Sequence, residues 1–342
     1  MGPAHQGKKA KARATAALAG VCLAGLFAGC AGLIVEAPVK AEGQIQADLP
    51  GLERTVDDMM RRDLPVALSI AIVNRGTLVW SRTFGAAGDG LFQAASISKV
   101  VSAYAALKLV QEGRLSLDAP LSGILPVPYF PQGSPGERIT LRMVLNHTSG
   151  LPNDALGRDR TLRHAPGQGF LYSGGGFAYL TRVVQTVVGQ PFDTFMERQI
   201  LAPLGMGHSR FRIDGYGVHG VSAAYSLVTT AEDLARFFLE LMAPRHIDPA
   251  LVQAMLSDSV RINEKYAWGL GVGIQHGGGE DAIWQWGYNG NYHRALAIFY
   301  PKTGTGVVVM TRGLNGSGFL ARVAHAAIGG PQFGLDQAIP LE

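Results

Sequence analysis

The sequence predicts an α+β fold, in which helices flank an antiparallel sheet and an all-helical region is inserted between the strands. β-rich runs lie at 67–84, and strand candidates return at 268–311. Between them, residues 115–245 contain helix candidates separated by loops rich in Pro and Gly. Strands on both sides of a helical stretch indicate one sheet that is assembled from distant segments.

The first elements follow from the spacing of apolar residues. Residues 52–62 repeat apolar side chains at helical spacing, which predicts a helix. The runs 67–73 and 78–84 read as two strands, and the Asn-Arg-Gly-Thr sequence between them is typical of a hairpin. After Ser96, apolar residues recur at helical spacing and predict a helix that ends near Gly113.

Helices are predicted through the middle of the chain, and strands are predicted again near its end. Thr230 is followed by an acid three residues on, which is typical of a capped helix start. Further helices are predicted at 139–145, 177–188, 191–200, 230–242 and 318–327, and further strands at 268–275, 282–286, 294–300 and 307–311. The predicted domain covers 51–330, with a sheet lobe at about 51–114 and 246–330, a helical lobe at about 115–245, and a tail at 331–342.

The N-terminal residues resemble an export signal. Four basic residues precede an uncharged run, rich in Ala, Leu and Gly, that ends at Cys30. This run is shorter than the roughly 20 apolar residues that a spanning helix needs. A cysteine after Ala-Gly resembles the bacterial lipoprotein cleavage site, so we expect a signal peptide at 1–29, a lipidated Cys30 and a tether at 30–50. An uncleaved anchor and plain secretion are the alternatives.

Export changes how charge and cysteine content are interpreted. The net charge of +4 equals the four basic residues of the signal, Lys8, Lys9, Lys11 and Arg13, and the remaining 26 basic residues balance 26 acidic ones. A neutral mature chain gives no support for nucleic-acid binding. The two cysteines are Cys22, within the signal, and Cys30. The exported domain is therefore expected to have no disulfide.

Ser96 and Lys99 stand three residues apart where a helix is predicted to begin. Residues with this spacing lie on one face of a helix. A serine hydroxyl becomes a nucleophile when a neighbouring base takes its proton, and a lysine amine can do so when burial lowers its pKa. The small and apolar neighbours of Lys99 favour such burial. Alternatively, Ser96 caps an ordinary helix and Lys99 faces solvent.

These residues resemble the first motif, S-x-x-K, of the serine β-lactamase and penicillin-binding-protein superfamily. The likeness is to its class C-like branch of β-lactamases, D-alanyl-D-alanine carboxypeptidases, D-aminopeptidases and esterases, and it extends over about 52–328. Residues 147–151, His-Thr-Ser-Gly-Leu, resemble a turn of that branch beside the site, where His147 has a structural role. Tyr172 begins the counterpart of its Y-x-N motif. Residues 284–290 resemble the motif strand that reads K-T-G or H-x-G.

The resemblance implies specific roles. Ser96 is the nucleophile, Lys99 its base, and Tyr172 a general base or proton shuttle. Gln285, Gly287 and Tyr288 are the oxyanion- and substrate-binding candidates, with the backbone N–H groups of Ser96 and Tyr288 forming the oxyanion hole. The implied fold is β-lactamase/transpeptidase-like.

Two positions depart from the family pattern. Gly174 stands where the Asn of Y-x-N holds the lysine and the substrate amide, and Gln285 stands where Lys or His is usual. The first change argues against β-lactam or peptide-amide recognition. The second removes the positive charge that faces a substrate carboxylate.

Motifs of other kinds of site are either absent from the sequence or better explained as structure. Lys302-Thr303-Gly304 is a literal K-T-G, but it follows Pro301 between two β runs, where a hairpin turn is expected. The sequence contains no G-x-S-x-G elbow, no H-E-x-x-H metal motif, and no phosphate or dinucleotide loop after a strand. We therefore expect neither a metal nor a cofactor.

The sequence thus predicts a serine hydrolase that forms an acyl-enzyme on Ser96. Its substrate would be a small ester or amide, or a peptidoglycan-like molecule, and its location the bacterial cell envelope, lipid-anchored through Cys30 to the outer or inner membrane. The alternative is a lipoprotein that keeps the fold for penicillin binding or scaffolding, with weak or lost catalysis. Gly174 and Gln285 motivate this alternative.

Overall fold

The computed structural model describes residues 49–63, 67–85, 90–214, 220–257, 259–277, 280–290, 292–313 and 316–329. Its helices are α1 (Leu49–Asp63), α2 (Ile97–Gln111), α3 (Leu141–Leu145), α4 (Gly174–Val188), α5 (Phe192–Met196), α6 (Ala231–Met242), α7 (Pro249–Met255) and α8 (Gly316–Ile328). Its strands are β1 (Ala67–Asn74), β2 (Thr77–Gly85), β3 (Phe92–Gln93), β4 (Arg210–Phe211), β5 (Leu227–Thr229), β6 (Val260–Arg261), β7 (Tyr266–Trp268), β8 (Gly273–Gln275), β9 (Ala282–Asn289), β10 (His293–Tyr300) and β11 (Thr305–Arg312). A 3-10 turn spans Pro135–Arg138, and a π turn, Glu197–Leu201, continues α5.

The main sheet joins the two ends of the described chain. Its eight strands lie in the order β2-β1-β11-β10-β9-β8-β7-β6, and each pair is antiparallel. The first hairpin thus pairs with the last strand, with Ala67 opposite Arg312. The predicted α+β class, with one antiparallel sheet built from distant segments, is confirmed.

Both faces of the sheet are covered, because successive strand residues point to opposite sides. Ala67, Ala71 and Val73 of β1 pack in a core shared with α2 and α6. Leu68, Ile70 and Ile72 pack in a second core beneath α1 and α8. A strand buried on both faces has a continuous apolar sequence, which explains why 67–73 lacks the alternation of a half-exposed strand.

The two predicted hairpins are confirmed. In the turn between β1 and β2, Arg75 and Gly76 both have positive φ, 49° and 72°. This backbone matches the twist of the flanking strands. Lys302, Thr303 and Gly304 form the turn between β10 and β11, where Gly304 N donates to Tyr300 O over 2.9 Å. The literal K-T-G is therefore a hairpin turn, as predicted.

Three predictions about individual segments were wrong. The strand predicted at 268–275 is two strands, β7 and β8, which pair across a tight reversal. The region 115–245 is not entirely helical, since β4 and β5 lie within it and form a three-stranded sheet with β3. Helix α1 begins at Leu49, so the predicted tether overlaps its first two residues. Short strands escape sequence patterns because two or three residues show no period.

The predicted signal, Cys22, Cys30 and the tail at 331–342 lie outside the described residues. Within the described ranges, no helix has both the length and the apolar character to cross a membrane.

Candidate active site

Ser96 stands at the first turn of α2, directly after a strained residue. Ala95 has φ 48°, in the left-handed region that residues with a side chain rarely adopt. The three-stranded sheet of β3, β5 and β4 stabilises this conformation, because Ala94 N donates to Leu227 O over 2.9 Å. The chain therefore bends sharply at Ala95 and presents Ser96 half-buried, while the rest of the first turn is buried.

Lys99 lies one helical turn further on, and its amine contacts the Ser96 hydroxyl. Its Nζ lies 3.0 Å from Ser96 Oγ and donates to Ala224 O over 2.8 Å. The side chain is only 2% exposed. Burial lowers the pKa of the amine from 10.5 to about 7. A substantial neutral fraction at neutral pH gives Lys99 a lone pair that can accept the serine proton.

A serine-rich loop, residues 222–226, holds the other side of Lys99. Ser102 Oγ on α2 donates to Ala223 O over 3.1 Å, and Leu227 N donates to Ser98 Oγ over 2.9 Å. These bonds fix the carbonyl of Ala224 against the amine. This loop could not be predicted from the sequence, since it acts through a backbone carbonyl and therefore leaves no residue-type signal.

Tyr172 completes the polar group around Ser96. Its hydroxyl is hydrogen-bonded to Ser96 and accepts from Gln285 Nε2 over 3.0 Å. Burial raises the pKa of the Tyr172 phenol, and the two hydrogen bonds only partly offset this rise. The Lys99 amine lies 5.0 Å from the centre of the tyrosine ring. Tyr172 is thus a neutral phenol that can pass a proton between Ser96 and a leaving group.

His147 is fully buried behind this group and does not touch Ser96. Its Nδ1 accepts from Ser173 N over 2.9 Å, and its ring packs 4.3 Å from the Tyr172 ring. Burial, and to a smaller extent the Lys99 charge, hold the pKa of His147 well below its usual value. A neutral imidazole that braces the Tyr172 turn has the structural position that the sequence analysis expected.

Gly174 lies where backbone leaves no room for a side chain. A Cβ on Gly174 would lie 2.8 Å from both Cα and N of Ala155. Gly174 N donates to Asn153 Oδ1 over 3.0 Å, and Ser173 Oγ accepts from Gly176 N at the start of α4. The loop that contains Ala155 therefore excludes the family asparagine from this position.

Strand β9 forms the opposite wall of the site. Gln285 is 1% exposed, and its Nε2 also donates to Trp286 O over 3.0 Å. A Cβ on Gly287 would lie 2.5 Å from Ser96 N. The β9 backbone can therefore approach the nucleophile this closely only because position 287 is a glycine. At the end of β9, Asn289 Nδ2 donates a hydrogen bond to Gln93 Oε1 over 2.9 Å.

The structure thus brings together most of the predicted site residues. Ser96, Lys99, Tyr172 and Gln285 form one chain of contacts, and Gly287 packs against the Ser96 amide. The backbone of Tyr288 follows directly, whereas its side chain is half-exposed. Cys30 lies outside the described residues.

The chain belongs to the Beta-lactamase family, whose profile matches residues 52–329. It is 26% identical to Protein flp of Staphylococcus aureus in an alignment that covers 74% of this chain. The chain spans 60% of the length of that relative.

Solved structures share the fold. D-alanine carboxypeptidase AmpC from Burkholderia cenocepacia has a TM-score of 0.69 and 21% identity, over 81% of this chain and 97% of that one. D-amino acid amidase from Ochrobactrum anthropi SV3 has a TM-score of 0.64 and 21% identity, over 77% of this chain and 90% of that one. These likenesses confirm the β-lactamase/penicillin-binding-protein fold that the motifs implied.

Proposed function

We propose that this protein is a serine hydrolase that cleaves an ester or amide through an acyl-enzyme on Ser96. The observation that carries the proposal is the contact between Lys99 Nζ and Ser96 Oγ, 3.0 Å apart, with the amine buried and its pKa lowered to about 7. A buried lysine is costly to keep, and activation of a nucleophile is a physical reason for it.

The steps follow from the geometry. Neutral Lys99 takes the Ser96 proton, and Ser96 Oγ attacks the substrate carbonyl. The oxyanion is held by the N–H groups of Ser96 and Tyr288, and the close approach of Gly287 to Ser96 N supports this assignment. Tyr172 gives its proton to the leaving group and regains one from Lys99. Water then releases the acyl group.

A neutral substrate suits this site better than an anionic one. Gln285 contributes an amide N–H to Tyr172 at the position where the family has a cation. Trp286 and Tyr288 extend the same strand with aromatic side chains. We therefore propose esters or small uncharged amides as substrates, in preference to carboxylate-bearing β-lactams or peptidoglycan stems.

The test is intact-mass measurement after exposure to a fluorophosphonate, a penicillin and a p-nitrophenyl ester. We expect an adduct on the wild type and none on Ser96→Ala, with Ser257→Ala as a control at an exposed serine. Fast turnover of the ester and slow or absent reaction with the penicillin are expected. An adduct that persists on Ser96→Ala would contradict the scheme.

A second candidate is a lipoprotein with this fold that binds penicillin or a partner without turnover. The observations that favour it are the excluded asparagine at Gly174 and the uncharged Gln285. This candidate predicts either a permanent penicillin adduct or no adduct from any reagent on the folded protein.

We also propose export and lipid anchoring at Cys30, to the periplasmic side of the outer or inner membrane. The basic start, the short apolar run and the cysteine after Ala-Gly support this. A fatty-acid label is expected on the wild type and not on Cys30→Ser. Label on both chains would contradict lipidation at Cys30.

A further inference from the structure

An aromatic pair projects from β9 beside the nucleophile. Tyr288 is 51% exposed, although most large apolar side chains of the described chain are buried. Its ring stacks on Trp286, with centroids 5.8 Å apart and planes 23° apart. Successive side chains on a strand point to opposite faces of the sheet. Trp286 and Tyr288 therefore share one face of β9, and Gln285 and Gly287 lie on the other. We call Trp286 and Tyr288 the aromatic ledge.

The ledge borders an open strand edge. Strand β8 pairs with β9 only from Ala282 to Trp284. Beyond this point, residues 285–289 of β9 have β10 on one side and the site on the other. Tyr288 directly follows Gly287, which packs against the Ser96 amide, so its backbone lies beside the position at which a substrate carbonyl would meet Ser96 Oγ.

The ledge is also near the proton donor. Tyr172 is part of the core cluster against which Trp286 packs, so the ledge and the proton donor border the same core. Gln285 connects the same strand to Tyr172 by its 3.0 Å hydrogen bond. A leaving group that takes its proton from Tyr172 and extends past the β9 edge would therefore reach the ledge.

The ledge presents an exposed aromatic surface, and an arginine bonded to backbone lies beside it. The Arg294 guanidinium lies 5.2 Å from the Tyr288 ring centre, and its Nη1 donates to the carbonyls of Gly290 and His293 over 2.8 and 2.9 Å. The Arg294 guanidinium thus contacts two backbone carbonyls as well as the Tyr288 ring. Aromatic rings recognise other rings through offset or edge contacts.

We propose that Tyr288, supported by Trp286, is a specificity-determining residue that binds the aromatic leaving group of an ester or amide. The inference rests on the proposed acylation of Ser96. In that step the bond from Ser96 Oγ to the acyl carbon forms and the bond from that carbon to the leaving oxygen or nitrogen breaks. The leaving atom takes the Tyr172 proton, so that an aromatic alcohol or amine departs neutral.

The test compares benzyl acetate with methyl acetate on the full chain. Their leaving alcohols have nearly equal acidity, and both esters give the same acetyl-enzyme, so the ratio of kcat/KM reports leaving-group binding. We expect benzyl acetate to be favoured roughly three- to tenfold through the ring contact. Tyr288→Ala should lose this preference, and Tyr288→Phe should keep it.

Val127→Ala is the matched control, since Val127 is an exposed apolar residue of the inserted region. It should keep the ratio. As a second measurement on the wild type, benzyl alcohol should inhibit hydrolysis at concentrations at which methanol does not. Hydrolysis of both esters with a ratio unchanged by Tyr288→Ala would overturn the inference. Absence of hydrolysis and of any Ser96 adduct would instead overturn the proposed function.

Discussion

The two walls of the site differ in how closely they follow the family pattern. On the α2 wall, Ser96 and Lys99 match the family motif, and the Tyr172 hydroxyl is hydrogen-bonded to Ser96. On the recognition side, Gly174 and Gln285 replace an asparagine and a cation. In the proposed function, nucleophile activation and substrate recognition are therefore assigned to different parts of the site. Activation depends on burial and one 3.0 Å contact, whereas recognition depends on the charge and bulk of β9 and its neighbours.

The largest expected effect is that of Gly287→Ala, which would break the contact between the two walls. The new Cβ would lie 2.5 Å from Ser96 N and 3.0 Å from the Ala95 Cβ, so β9 must move away from the oxyanion donors. Loss of one such donor lowers kcat roughly 100- to 1,000-fold. Acylation rates from stopped-flow kinetics would measure this loss. Gly207→Ala, where no atom lies within 4 Å, should keep full activity.

Lys99→Met should reveal the cost of burying the base. The folded chain has a lysine pKa of about 7 and the unfolded chain one near 10.5. Between these values the unfolded state binds more protons, so the free energy of unfolding of the wild type rises with pH. We expect it to gain roughly 3 kcal/mol relative to Lys99→Met between about pH 7 and about pH 9.5.

Urea unfolding at several pH values measures this difference, with Lys265→Met, at an exposed lysine, as the control. Parallel stability curves for the wild type and Lys99→Met over that window would show that the amine is not neutral in the fold.

Gly174→Asn tests whether the recognition side can be returned to the family pattern. Because the Cβ would meet the Ala155 backbone at 2.8 Å, we expect a loss of roughly 2 kcal/mol in stability, as in overpacked cores. Penicillin should acylate this variant no faster than the wild type. Thermal unfolding and mass spectrometry measure the two quantities. A stable variant that gains penicillin reactivity would show that the loop containing Ala155 can move to accommodate the asparagine, and would contradict this prediction.

The smallest expected effect is that of Gln285→Lys, which returns a charge beside Tyr172. A charge-assisted contact to a carboxylate should raise acylation by benzylpenicillin, relative to p-nitrophenyl acetate, about tenfold. Gln285→Met removes the 3.0 Å hydrogen bond without adding charge and should not raise this ratio. An equal ratio in both variants would mean that charge at position 285 does not select the substrate.

Much of the fold could be predicted from the sequence, because its longer elements have helical spacing or continuous β-rich runs bounded by turn residues. The turns at Gly76 and Gly304 and the helix cap at Thr230 were found from local chemistry alone. The strands β4 and β5 could not be found, since each is too short for a period and pairs with residues distant in sequence.

The site was predictable to a similar extent. The spacing of Ser96 and Lys99 indicated the contact, but the lowered lysine pKa depends on burial by segments far apart in the chain. The Ala224 carbonyl and the Ala155 backbone could not be predicted, because backbone atoms leave no mark on residue type.

The central claim is that Lys99 is neutral near physiological pH and can act as the base for Ser96. Lysine side-chain NMR on the full chain tests it directly, since the chain has only eight lysines and Lys99→Met assigns the signal. We predict that the assigned Lys99 amine titrates at about 7, well below the ordinary lysine value of about 10.4. A Lys99 amine that instead titrates above about pH 9 would contradict the account.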